Sequence, residues 1–86
     1  MDAGLYRREF EKLAERLGID VRYTDGGPSG LCTLKGERVL FIDKNLGQQS
    51  KVEVFAHAFK SLDLNGVYII PALRRLMGMD ESGGSW

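Results

Sequence analysis

The apolar residues of this chain change their spacing twice, and that change limits the fold more than any other feature. Tyr6, Phe10, Leu13, Ala14 and Leu17 share one face at helical spacing, which predicts a first helix over Leu5 to Leu17. From Ile19 to Ile42 the pattern shortens into strand-length segments. Helical spacing then returns from about Gln48 to Leu62, with Val52, Phe55, Ala56, Phe59 and Leu62 as the main buried stripe. A chain patterned in this way sets amphipathic helices against a small sheet, the α+β class.

The signals between these runs refine that layout. Asp2 stands where a helix N-cap belongs, and Gly18 where a helix ends. Ile19-Asp20-Val21-Arg22-Tyr23 alternates apolar and polar, a half-buried strand. A glycine-rich loop leads to a second strand, Leu31-Cys32-Thr33-Leu34. Lys35-Gly36-Glu37 forms a tight turn, since Gly36 reaches positive φ without steric cost. The third strand, Arg38-Val39-Leu40-Phe41-Ile42, is apolar enough to be central. The pattern alone leaves Val67 to Ile70 open between strand and helix. Pro71 favours extended geometry before it and a short third helix from Pro71 to about Met77. The expected order is α-β-β-β-α-α: a three-stranded antiparallel meander with helices on one face. Residues 1–79 read as one domain and residues 80–86, ending in Trp86, as a polar tail.

Eighty-six residues bury only ~60% or slightly more of the unfolded surface, so a second copy or a partner would add useful burial. Lys+Arg and Asp+Glu both number 12, a net charge of zero, whereas general nucleic-acid and membrane-surface binders are basic. No apolar run approaches the ~18 residues of a membrane span, and the first residues lack an apolar signal core. The single cysteine, Cys32, excludes an intrachain disulfide framework, and the expected location is the cytoplasm.

Few residues here can carry chemistry. His57 is the only histidine and lies on the side of its helix opposite Phe55 and Phe59, with Ser50, Val54 and Ser61. Glu53 sits four residues before it, close enough to pair with an imidazolium. The bland reading of His57 is a surface or interface residue. A catalytic zinc needs about three protein ligands, and one histidine with one cysteine falls short, so no metal and no cofactor are expected. Cys32 with His57 is the only thiol–imidazole pair available, but a mid-strand cysteine is ordinarily a small core residue. Gly26-Gly27-Pro28-Ser29-Gly30 lacks the spacing of a phosphate loop and reads as a strand connection. Arg8, Lys12 and Arg16 form a basic stripe on the first helix. Glu9, Glu11 and Glu15 lie beside them, so a solvated face is favoured over a nucleic-acid contact. Arg74-Arg75 lies near the third helix's C-terminus, where cations favour the helix dipole.

The C-terminal segment is crowded with apolar side chains, among them Tyr68, Ile69, Leu73, Leu76 and Met77. Two readings follow: a surface for a protein partner or a homodimer, or a third helix that closes the core.

Three segments carry a family resemblance. Leu13-Ala14-Glu15-Arg16-Leu17-Gly18-Ile19 looks like an opening helix and its exit. Val39-Leu40-Phe41-Ile42 with Asp43 looks like the strand before an active helix, and Phe55-Ala56-His57 aligns with a first-ligand position. In these features the chain resembles the small ImmA/IrrE-type zincin metallopeptidase domains. That resemblance implies a helix, a short meander and a zinc-binding His-Glu-x-x-His helix. Only His57 carries over. Ala58 stands in place of the glutamate base and Ser61 in place of the second histidine, so proteolysis does not transfer. The chain also looks like short bacterial conserved proteins of unassigned role. The expectation is a non-catalytic domain acting through protein contacts and self-association. The alternatives are an enzyme using His57, with Cys32 or in a pocket completed by a second chain, and a degenerate metallopeptidase-like domain.

Overall fold

The computed structural model describes residues 2–78. The expected tail, residues 80–86, lies outside the described residues, as does the last residue of the expected domain.

The elements run α1 (Ala3–Arg16), β1 (Asp20–Thr24), β2 (Gly30–Leu34), β3 (Glu37–Asp43), α2 (Gln48–Lys60) and α3 (Pro71–Leu76). The order is that expected from the pattern, and the class is α+β. Asp2 caps α1 by accepting the Leu5 N–H at 2.9 Å. Gly18, at φ 73°, closes the helix: its N–H reaches the Glu15 carbonyl at 3.1 Å and that of Ile19 reaches Ala14 at 2.9 Å. This double bond pattern turns the chain straight into β1.

The sheet is mixed, which corrects the expected antiparallel meander. Its strand order is β1-β3-β2, with β1 parallel and β2 antiparallel to β3. The reason lies in β3. Its run Val39-Leu40-Phe41-Ile42 is apolar throughout, so it takes the centre, where a strand is paired along both edges. The 25–29 loop spans the two strand spacings, about 9–10 Å, that separate β1 from β2. A tight hairpin there would have forced β1 against β2 instead.

Leu40 and Ile42, both fully buried, point to the face that carries the helices. There they meet a cluster of three rings. Phe10 stacks on Phe55 at 5.4 Å, and Phe59 stands edge-on to both, at 5.7 and 5.9 Å. The buried side of α2 is Val52, Phe55, Ala58 and Phe59. Ala58 thus takes the buried place expected for Ala56, because the sheet approaches α2 from that side, while Ala56 and Leu62 are half-buried. Ile70 is extended and α3 begins at Pro71, as proline geometry requires.

Candidate functional site

Between α2 and the edge strand β2 lies a cleft of about 650 Å³. Leu31, Leu46, Val54 and Ala58 supply its apolar lining. Ser29, Ser50, Glu53, His57 and Ser61 supply its polar groups. Ser50, Val54, His57 and the C-cap residue Ser61 share one side of α2, since positions 50, 54, 57 and 61 are one turn apart in succession. His57 is therefore exposed on the side of α2 facing the cleft, together with Ser50, Val54 and Ser61.

The polar groups of the cleft are partly committed to the fold. The Ser61 hydroxyl donates to the Ala58 carbonyl at 2.6 Å and tightens the end of α2. The Ser29 hydroxyl accepts the Asp43 N–H at 3.0 Å. No hydrogen bond or ion pair joins Glu53 to His57 among the described residues. Nor do three His, Cys, Asp or Glu side chains converge anywhere among them.

Cys32 lies elsewhere, and the expectation of a core thiol is corrected: it is exposed. The register explains this. Cys32 sits opposite Val39, and Gly30 opposite Phe41, so their side shares the sheet face that no described helix covers. Leu31, one residue away, points to the helices and lines the cleft with His57. The sheet therefore stands between Cys32 and His57, and the thiol–imidazole dyad is not assembled.

The C-terminal apolar residues divide in two. Ile69, Leu73 and Met77 recur every fourth residue and are buried, at 2%, 2% and 1% exposure. They close the core rather than offering a surface. Tyr68 at 66% and Leu76 at 38% stay exposed, on the other side of this segment. The basic stripe also has structural work. Arg16 donates to the Tyr68 carbonyl at 3.0 Å, tying the 65–70 segment to α1, and Lys12 pairs with Glu9 at 3.2 Å. Arg8 is exposed.

Two polar networks escaped the sequence reading. In the first, Arg7 donates to Gln48 at 2.8 Å and to Glu11 at 2.7 Å, and Glu11 accepts the Tyr23 hydroxyl. Lys51 lies 5.7 Å from the Tyr23 ring centre. The available signals were the i,i+4 spacing of Arg7 and Glu11, and the shared parity of Tyr23 and Val21 on β1. In the second, Asp43 accepts the N–H groups of Asn45 at 2.9 Å and Gly26 at 3.2 Å. The Asn45 bond above all holds its carboxyl below the ordinary carboxylate range; desolvation, the next largest effect, opposes it, and the Gly26 bond adds to the lowering. This network fixes the loops at the C-terminal ends of β1 and β3, and so the start of α2.

Comparison with family models, curated proteins and solved structures gives no match to this chain.

Proposed function

We propose that this chain is a non-catalytic domain that acts through protein contact and associates with itself. One observation carries the reading: the central strand is apolar on both faces, but described helices cover only one. Val39 and Phe41 point to the other face. Val39 is itself buried, and exposed Cys32 and Leu34 lie on the same side of the sheet, Leu34 at 46%. Apolar side chains on an uncovered face gain by association with a partner. Light scattering on a dilution series tests this. The chain should show twice its 9.6 kDa mass when concentrated and fall to 9.6 kDa on dilution. A mass of one chain at every concentration up to about millimolar contradicts it.

A degenerate metallopeptidase-like domain is the second reading. What favours it is the position of His57 in a cleft between a helix and an edge strand. Purification without chelator should then yield about one equivalent of transition metal per chain or per dimer, lost in His57→Ala. Metal-free material with unchanged stability on adding zinc removes this reading.

A further inference from the structure

We propose that β2 of one chain pairs antiparallel with β2 of a second copy, Leu31 opposite the partner's Thr33 and Cys32 opposite the partner's Cys32. This rests on the reading of the chain as self-associating and gives it an edge contact and a register, in which the uncovered sheet faces of the two copies become continuous.

The two edges of the sheet differ. β1 carries Asp20 and Arg22, which form an exposed ion pair at 2.8 Å. Charges of this kind keep an edge strand from pairing with other chains. β2 is Gly30-Leu31-Cys32-Thr33-Leu34, without charge, proline or bulge. It is the unprotected edge.

Its register follows from the neighbouring turn. Lys35 at φ 52° and Gly36 at φ 82° form a two-residue turn of the type that closes hairpins. The closing pair, Leu34 with Glu37, is then hydrogen-bonded, and alternation makes Cys32 and Gly30 bond to β3 as well. The Asp43 N–H, which points to the β2 side and bonds Ser29, follows the same parity. The N–H and C=O groups of Leu31 and Thr33 therefore point outward. No other backbone group reaches them among the described residues. One antiparallel register matches these two residues to each other: Leu31 to the partner's Thr33, and the reverse. A shift of two residues leaves one such self-pair and brings in Ser29 or the turn residue Lys35. The matched register leaves Cys32 on the two-fold axis in a non-hydrogen-bonded pair.

Charge supports the same occupant. In this register Lys35, in the turn after β2, falls near the partner's Ser29, in the loop before β2. Ser29 lines the cleft together with Glu53. Neither Lys35 nor Glu53 has an ion-pair partner in its own chain among the described residues. Pairing brings each lysine toward the other copy's glutamate, twice by symmetry. A net charge of zero adds no long-range repulsion between copies.

A short bismaleimide tests the register on the full chain, at concentrations where light scattering reads a dimer. Cβ atoms of such a pair lie about 4.5–5.5 Å apart, so the reagent should link most chains through Cys32. Linking should vanish in Cys32→Ser and on dilution. Thr33→Pro removes an outward N–H without touching the bonds to β3, and should leave a folded monomer by circular dichroism. Lys35→Glu should weaken the dimer about tenfold, and Lys35→Glu with Glu53→Lys should restore it. A dimer that resists linking at Cys32 and survives Thr33→Pro overturns this inference and leaves self-association standing. A single-chain mass at every concentration overturns both.

Discussion

At Tyr23 three elements meet: its hydroxyl donates to Glu11 of α1, and its ring lies beside Lys51 of α2. Burial of the phenol, reinforced by the Glu11 bond, pushes its pKa up to about 12. An unfolded tyrosine titrates near 10, so the unfolded chain loses this proton first as pH rises. Stability from this group is full below about pH 10 and falls between about 10 and 12. Urea midpoints measured across that window should drop more steeply in the parent than in Tyr23→Phe; parallel curves contradict the assignment. The core rings behave differently. Phe10, Phe55 and Phe59 were legible from spacing alone, because a helix's 3.6-residue period fixes which side chains share a face. Phe55→Ala should cost about 3–5 kcal/mol in urea unfolding, close to the whole stability of so small a domain. Cys32 was not legible: composition says a cysteine prefers the interior, but strand parity, set by the Lys35-Gly36 turn, decides its face.

At the level of elements, helix ends and strand lengths were readable because their signals are local. Asp2, Gly18 and Pro71 each act on the residues next to them. Gly18 takes φ 73°, which side chains with a Cβ resist, although open space surrounds it. Gly18→Ala should therefore cost about 1 kcal/mol in urea unfolding through backbone strain alone, with the fold retained. A stabilised variant contradicts the role given to this turn. Strand order was not readable. A period of two tells which face a side chain occupies and says nothing of which strand lies beside it. The preference of β3 for the centre was visible in its apolar run, but the consequence, a parallel β1–β3 pair, depends on a loop that steps over a strand. The cleft was half visible for a related reason. The positions of Ser50, Val54, His57 and Ser61 on one side of α2 follow from the sequence, whereas Ser29 and Leu31 join them only through the sheet.

On the scale of the whole molecule, α1 and α2 cover one face of the sheet, α3 packs on those two helices rather than on the sheet as expected, and Ile69, Leu73 and Met77 complete that core. The apolar surplus that the sequence placed at the C-terminus is thus largely spent inside. Open surface is found instead at the uncovered sheet face and along β2, where Leu34 and Cys32 are exposed. Self-association through β2 would extend a three-stranded sheet into a continuous six-stranded one and remove its unprotected edge. Amide hydrogen exchange resolved at Leu31 and Thr33, followed against protein concentration, tests this most directly. Both amides should exchange as unprotected groups in dilute solution and become slow as the dimer fills. Fast exchange at both positions, in solutions where light scattering already reads two chains, would contradict it.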